Sequence, residues 1–318
     1  MLNFFKRVWY ILTYPFRLIW RIISFPFGQI RRFVNFMNLE PSETPVVELI
    51  GGIVTDESIR QFIFSEIQAF RKHLLRMMIG LALTVGGSFY FTQPMVEFLA
   101  RPVGGIEALR AIEVTESIGV FMRVALLSGV ILALPYIAFE FWRFAAPGLK
   151  PREKKIGLLG IPLSGIFFTG GVAFAYFVLI PAALPFLLNF MGIETQLRPQ
   201  SYFSFLTGLM FWIGVIFELP LVVYILTSIG LVTPKVLQEQ WRLAIVIISV
   251  LAAVITPTID PVNMTLVMAP MTLLYFISIG FSYAAYAGRT KDVAGRSKDQ
   301  KAKTAAKAKS RKSRPKSG

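Results

Sequence analysis

Residues 211–224 read FWIGVIFELPLVVY, and this stretch decides the fold class because it places a single acid inside a long apolar segment. Glu218 lies within residues 202–229, an apolar run of about 28 residues that can cross a bilayer as one helix. An acid at that depth costs free energy and is expected to face a bundle interior or a wet cavity. Pro220 removes a backbone donor and predicts a kink there. The acid is then either protonated and hydrogen-bonded to a neighbouring helix, or charged and exposed to a cavity.

The composition is that of a membrane protein with several spans. The 318 residues are 55% hydrophobic and 16% charged, with a mean hydropathy of +0.62, values that disfavour a soluble domain. The chain has no Cys and one His, which excludes disulfides and Cys/His metal sites, so we predict neither a metal nor a cofactor. The net charge of +15 is concentrated in residues 289–318, where 12 Lys and Arg stand against two Asp.

Further apolar runs predict an all-α fold with six membrane-spanning helices. They lie at about residues 74–91, 118–142, 156–179, 202–229, 243–255 and 264–287. The fifth has only about 13 apolar residues, or roughly 20 Å of helix against a hydrocarbon core of about 30 Å. We therefore expect the fifth and sixth helices to form a short hairpin that thins the bilayer or is sheltered by a partner.

The ends of the chain differ from the six-span domain, to which we assign residues 65–288. In residues 1–38, Lys and Arg side chains share one arc of roughly 120° at helical periodicity, opposite Phe, Ile, Leu and Trp. This pattern predicts an amphipathic helix on anionic lipid, with an accessory oligomer contact as the alternative. Residues 39–64 read as a linker, and residues 289–318 as a disordered basic tail that binds anionic lipid rather than nucleic acid.

Basic residues also predict the orientation of the chain in the membrane. Lys and Arg are concentrated in the N-terminal segment, in residues 150–155, in residues 235–242 and in the tail, which all fall on one side of the predicted spans. The opposite loops are richer in acids. Both termini are therefore expected in the cytoplasm.

Four sequence stretches occur in a fixed order, each at the end of a predicted span or at its break. They are FWRFAAPGLKPREKK (141–155), FAYF (174–177), FELP (217–220) and TPTIDP (256–261). Over residues 66–286 the chain resembles the TatC family, the multispan core and signal-receptor subunit of the twin-arginine protein translocase. The resemblance implies a concave, glove-like arrangement of the spans.

The resemblance also implies a receptor without catalysis of its own in the bacterial cytoplasmic (inner) membrane. Such a receptor binds the twin-arginine signal peptides of folded proteins at the cytoplasmic face. It works as a homo-oligomer within a larger complex and assembles with single-span partners of the TatA/TatB type. Transport then uses the proton-motive force.

Two acidic positions for the signal peptide follow from the resemblance. Glu153 matches the family's acid in the loop between the second and third spans. The family's other acid lies before the first span in an HLxELR motif, where this chain has EIQAFR, so that Ala69 replaces the acid and Arg71 matches the arginine. Glu66 lies one helical turn upstream of Ala69 and can substitute for the missing acid.

The remaining family positions lie in the membrane. Glu218 matches the family's intramembrane acid, and Thr256 and Asp260 match a polar turn at which a partner helix docks. Met264 and Phe276 depart from the family there, because many members have Gln and an acid at these positions. A further set of matching residues is expected to serve packing and hinges: Pro102, Phe144, Pro147, Tyr176 and Pro220.

An acid beside a proline is also compatible with a proton-coupled secondary transporter that uses Glu218, which is the alternative function. However, the two halves of the chain show no convincing repeat, and the spans offer almost no other ionisable group in line with Glu218. An enzyme is disfavoured because the chain shows no paired acids and no Ser or His dyad. His73 lies in a basic segment and is expected to be exposed to solvent.

Overall fold

The computed structural model describes residues 37, 57–188, 196–256 and 260–312, and the side chains of residue 37 and of the part between residues 64 and 288. The regular secondary structure of this part of the chain is helical, and it has no β-strand. Its helices are α1 (Glu57–Ala100), α2 (Glu116–Ala145), α3 (Pro151–Phe174), α4 (Ile180–Leu188), α5 (Pro199–Phe217), α6 (Leu219–Ile229), α7 (Pro234–Glu239), α8 (Trp241–Ile255) and α9 (Pro261–Lys312). The predictions for residues 1–36 and 38–56 lie outside the described residues.

The helices confirm the prediction of a six-span, all-α protein. Five described helical segments are long and apolar enough to cross a membrane, and α8 is a shorter apolar helix of 15 residues. The five are Phe64–Val103, Glu116–Gly148, Pro151–Leu188, Pro199–Ile229 and Pro261–Gly288. The short fifth span is therefore also confirmed. Most helices extend beyond the apolar runs because polar residues at their ends continue the same backbone hydrogen bonding.

The fourth span is broken where the sequence predicts a kink. Helix α5 ends at Phe217 and α6 begins at Leu219, and the Glu218 amide donates to the carbonyl of Val215 at 3.1 Å instead of to the residue four positions back. Pro220 lies in the first turn of α6, where its missing N–H costs no intrahelical hydrogen bond. The break therefore follows from the proline and lies at the acid itself.

Helix α5 is the centre of the core. Its residues Phe203, Leu206 and Ile213 are almost fully buried, and they belong to one cluster with Val124 of α2 and Phe168 of α3. Helix α1 lies at the edge, because only 6% of its apolar span is buried, compared with 33% to 44% of the four other long spans. Most of the α1 surface is thus left to lipid or to partner proteins.

The helix bundle has two ends, the Glu153 end and the Arg198 end, each named after one residue that lies there. The Glu153 end holds the start of the first span and the α2–α3 connection. The Arg198 end holds the α1–α2 connection and the start of α5.

Helix α9 continues well past its apolar span, to Lys312. The sequence predicts a disordered tail from residue 289, but the backbone is helical over residues 289–312. Ala and Lys dominate that segment and are strong helix formers, which explains a helix without an apolar face. The assignment of residues 289–318 as a separate basic segment stays a prediction.

Candidate functional site

Glu153 lies in the first turn of α3, directly after the 3-10 turn Ala146–Gly148. Lys150 is the N-cap residue of this helix, and its backbone N–H donates to Glu153 Oε2 at 2.9 Å. An acid is favoured in this position by the helix dipole as well as by the cap. A carboxylate has about four acceptor positions, so this single bond leaves most of the acceptor capacity of Glu153 available to a ligand.

The loop before Glu153 is held in place by an aromatic anchor. The indole Nε1 of Trp142 donates to the Lys154 carbonyl at 3.0 Å, and the Trp142 side chain is 5% exposed. Met37, from the segment before the first span, packs on Trp142 and Ala146. The backbone around Glu153 is therefore fixed from both sides, which presents its carboxylate in a defined position.

Glu140 is an acid in the second span that the sequence analysis overlooked. Its side chain is 2% exposed, and its Oε2 lies 2.6 Å from Nδ1 of His73 on α1. Arg143 and Arg76 place guanidinium nitrogens at 3.8 Å and 4.0 Å from its carboxylate oxygens. The hydroxyl of Tyr136 donates to Oε1 at 3.4 Å. Glu140 therefore joins the first two spans at the Glu153 end.

One expectation from the sequence is wrong at this cluster. His73 is not exposed to solvent, because its side chain turns towards α2 and is 14% exposed. Glu140 is also a second acid in the spans beside Glu218, and it is buried. The signal was present in the sequence: Glu140 has Tyr136 four residues before it and Arg143 three residues after it, so all three share one helix face.

The acidic segment before the first span lies on α1 at the Glu153 end. Glu66 and Arg71 are exposed, and Ala69 is half-buried. Phe70 packs edge-on against Phe144 with ring centroids 5.4 Å apart, which brings this part of α1 to the loop before α3. Among the described residues, Glu66, Arg71 and Glu153 form no hydrogen bond or ion pair with one another. The structure thus brings their elements together without closing a site.

Glu218 lies at the break between α5 and α6 with a half-buried side chain. Its Oε1 is buried and has no hydrogen-bond partner among the described residues. A buried oxygen without a partner carries a free-energy cost that a water molecule or a bound polar group relieves. Glu218 therefore keeps one unused acceptor oxygen at the break in the fourth span, and both readings of this acid from the sequence stay predictions.

The polar turn between α8 and α9 is used mainly to start α9. Asp260 Oδ1 accepts from the Asn263 backbone N–H at 2.7 Å, and its Oδ2 accepts from the Asn263 side chain at 3.0 Å. The Thr256 hydroxyl donates to the Ala252 carbonyl at 2.9 Å and is buried. Met264 is half-buried against the core, and Phe276 is 49% exposed. Residues 257–259 lie outside the described residues.

At the Arg198 end, ion pairs join the connection between α1 and α2 to the residue that precedes α5. Glu116 is fully buried, and its Oε1 accepts from Nη2 and Nε of Arg198 at 2.6 Å and 3.1 Å. Glu113 accepts from the same guanidinium at 2.9 Å. The hydrogen bonds that Arg198 donates to Glu116 and Glu113 raise the pKa of Arg198 above its ordinary value. This pair was not predicted from the sequence, because Glu116 and Arg198 lie 82 residues apart.

Comparison with known proteins identifies the family. The family model for the Sec-independent protein translocase protein (TatC) matches residues 65–270. The chain belongs to the TatC family. It is 34% identical to the TatC protein of Deinococcus radiodurans over 229 residues. This alignment covers 69% of this chain and 85% of that protein. It is 33% identical to the TatC protein of Carboxydothermus hydrogenoformans over 220 residues, and this alignment covers 68% of this chain and 90% of that protein.

A solved structure agrees with this assignment. The crystal structure of a twin-arginine translocase receptor, TatC, superposes with a TM-score of 0.62 at 32% identity and covers 69% of this chain and 99% of that chain. This chain is therefore a multi-pass membrane subunit of a Sec-independent protein translocase. The TatC match begins at residue 65, so the predicted surface helix and linker lie outside it.

The remaining TatC-like positions have structural contacts. The Tyr176 hydroxyl donates to the Phe98 carbonyl at 2.7 Å, which ties the third span to the first. Phe144 packs on Phe70. Three prolines lie at helix starts: Pro102 in the 3-10 helix Arg101–Val103, Pro147 in the 3-10 helix Ala146–Gly148, and Pro220 in α6.

Proposed function

We propose that this TatC-family chain is the receptor that binds twin-arginine signal peptides of folded proteins at the cytoplasmic face of the bacterial inner membrane. The observation that carries the proposal is Glu153, whose carboxylate is fixed at the start of α3 and uses one hydrogen bond for capping. Both termini then lie in the cytoplasm. Family membership favours this role over the secondary transporter that the sequence left as an alternative.

Recognition of two adjacent arginines requires a direct contact here. Each guanidinium presents a planar fork of donors that matches a carboxylate in a bidentate pair. The neighbours Lys150, Arg152 and Lys155 are cationic, so the local field repels an arginine peptide rather than attracting it. Specificity for arginine therefore depends on the short-range hydrogen bonds that Glu153 accepts.

Glu153→Gln is expected to reduce binding of the signal peptide by about tenfold or more, the equivalent of one lost charge-assisted hydrogen bond. The measurement is photocrosslinking in inverted membrane vesicles, with a photoreactive residue in the peptide next to the arginine pair. The matched control is Glu239→Gln, because Glu239 is an exposed acid on α7 at the same end and pairs with Lys235 at 3.8 Å.

The comparison peptide carries two lysines in place of the arginines. The proposal requires that only the arginine peptide crosslinks and that Glu239→Gln keeps the wild-type yield. Equal crosslinking of both peptides, or equal loss in both variants, would show that Glu153 does not read the arginines. Crosslinking only in right-side-out vesicles would contradict the proposed orientation.

We also propose that Glu66 takes over part of the role of the acid missing at Ala69. Both residues lie on one face of α1, one turn apart, and Glu66 is exposed. Ala69→Glu restores the family's acid, so it is expected to increase crosslinking of the arginine peptide several-fold, and Glu66→Gln to decrease it. When Ala69→Glu is also present, Glu66→Gln should no longer decrease crosslinking of the arginine peptide. If neither single substitution changes the yield, this segment of α1 takes no part in binding.

Recruitment of TatA/TatB-type single-span partners for transport driven by the proton-motive force is part of the proposal. The wide uncovered apolar surface of α1 and the exposed Phe276 on α9 support contacts with partners or with a second copy of the chain. Thr256, Asp260 and Met264 mark the proposed docking turn. Met264→Cys tests it, since the chain has no cysteine of its own: with a single cysteine placed in the partner helix and an added oxidant, a disulfide between the two is expected, and its absence would contradict docking at this turn.

Anionic lipid is the proposed ligand of the chain's two ends. The basic residues of segments 1–38 and 289–318 support this assignment by charge alone. The measurement is binding of the corresponding peptides to vesicles with and without anionic lipid. Equal binding to vesicles with and without anionic lipid would contradict the proposal.

A further inference from the structure

A cavity of about 590 Å³ lies at the Arg198 end, on the side of the bundle where the first and third spans meet. One wall consists of Arg101 and Pro102, which follow α1 directly. The other wall comes from the third span and includes Phe177, Pro181 and Leu188. Its volume falls in the range of about 300 to 1,000 Å³ that is typical of ligand sites. Nothing in the proposed receptor function uses this cavity.

The third-span wall is built by an irregular stretch of helix. Residues Ala175–Leu179 form a π-helix between α3 and α4. The extra residue in the turn directs Tyr176 inward, where its hydroxyl donates to the Phe98 carbonyl, and leaves Phe177 65% exposed on the outer surface. A π-helix is less stable than the α-helix that it interrupts, and such bulges are frequent at functional sites. Within a membrane span, the outer surface at Phe177 faces lipid.

The lining is mostly apolar and contains a single cation, Arg101. Pro102, Pro181 and Pro185 have no backbone N–H, and the Tyr176 hydroxyl is already used. Arg101 therefore supplies the strongest hydrogen-bond donors of the cavity. This lining, which is mostly apolar with one guanidinium, matches a ligand that has an apolar chain and an anionic group.

Arg101 has no carboxylate partner among the described residues. Its guanidinium lies 5.2 Å from the centroid of the Phe98 ring and is exposed. Arg198, at the same end of the bundle, pairs instead with two glutamates. Arg101 follows the last turn of α1 and lies within the apolar span that ends at Val103, which is the depth at which lipid phosphates meet basic side chains.

We propose that this cavity binds one phosphate-bearing membrane lipid of the leaflet at the Arg198 end. The lipid phosphate pairs with the Arg101 guanidinium, and one acyl chain lies along Phe177, Pro181 and Leu188. The pair is charge-assisted and bidentate, which gives arginine its advantage at phosphate groups. A bound lipid fills the space between the first and third spans and thereby supports the contact that Tyr176 makes with Phe98.

The experiment is native mass spectrometry of the full chain in detergent, titrated with phosphatidylglycerol. Wild type is expected to retain one lipid. Arg101→Gln should weaken retention by about tenfold or more, the effect of one lost charge-assisted hydrogen bond. The matched control is Arg110→Gln, an exposed arginine in the same connection that does not line the cavity, and it should retain the lipid. Leu188→Trp should displace the lipid by filling the channel.

Two further ligands test the lipid's phosphate group and its acyl chains separately. Diacylglycerol has the chains without the phosphate and should be retained about tenfold less well than phosphatidylglycerol, in line with the loss of the same pair. Inorganic phosphate alone should not displace the lipid, because it lacks the chain. Equal retention by Arg101→Gln and wild type, or equal retention of diacylglycerol, would overturn the proposal. So would a photoreactive residue at position 177 that crosslinks to a protein helix instead of lipid in membranes.

Discussion

Glu140→Ala is expected to lower the free energy of unfolding by about 1 to 3 kcal/mol, because it removes the buried carboxylate that joins the first two spans and leaves its hydrogen-bond partner His73 unpaired. Glu140 is 2% exposed, and His73, Arg76 and Arg143 all direct nitrogens at its carboxylate within 4.0 Å. The measurement is denaturant unfolding in mixed micelles, followed by tryptophan fluorescence. Glu239→Gln is the control, since its exposed pair with Lys235 is worth at most about 1 kcal/mol.

A double-mutant cycle distinguishes the cluster from a general loss of packing. His73→Ala alone removes the hydrogen bond to Glu140, so the two substitutions together should cost less than their sum, by about 0.5 to 3 kcal/mol. Strict additivity would mean that the two side chains do not stabilise each other. An effect of Glu140→Ala no larger than that of the control would mean that the cluster contributes nothing to stability.

The same variant has a consequence for the signal-peptide site. The Glu140–His73 contact joins α1 to α2 next to the place where Phe70 packs on Phe144. Loss of this contact frees the segment of α1 that carries Glu66. Crosslinking of the arginine peptide should therefore fall in Glu140→Ala as well, although Glu140 is too deeply buried to touch the peptide.

The parts of the fold that depend on local sequence could be predicted from it. Apolar run length gives the spans, and Pro220 beside Glu218 gives the broken fourth helix. The loop acid Glu153 could be located through the family's motif. Each of these features is carried by residues close together in the chain.

The contacts between helices could not be predicted in the same way. Glu140 and His73 are 67 residues apart, and Glu116 and Arg198 are 82 residues apart. Which faces of two spans meet depends on how all six helices pack, and lipid-facing and buried apolar residues are alike in a sequence. Acids inside apolar runs are the exception, because each requires a polar partner. For Glu140 this rule indicates a polar partner but does not identify it.

The glycine pair at the crossing of the third and fourth spans is a further contact of this kind. Gly171 on α3 is buried, and a Cβ added to it would lie 2.9 Å from both the Ile213 carbonyl oxygen and the Gly214 Cα. A Cβ on Gly214 would in turn lie 2.8 Å from the Phe168 ring. Optimal contacts between carbon atoms are about 3.5 to 4.0 Å. The absence of both side chains thus lets α3 and α5 approach one turn before the break at Glu218.

Gly171→Leu is therefore expected to prevent α3 and α5 from packing and to abolish accumulation of folded protein in the membrane. The smaller change Gly171→Ala should still fold but lose about 1 to 3 kcal/mol of unfolding free energy, because the obstacle is backbone and cannot rotate away.

Gly170 is a matched control on the same helix: it is exposed, and a Cβ there meets nothing within 4 Å. Gly170→Ala should be neutral or stabilising by up to about 1 kcal/mol, since alanine favours a helix over glycine. Unfolding in mixed micelles measures both, and effects of the same sign would contradict the close crossing. Destabilisation at Gly171 without destabilisation at the adjacent Gly170 would show that α3 and α5 pack through direct contact between their backbones.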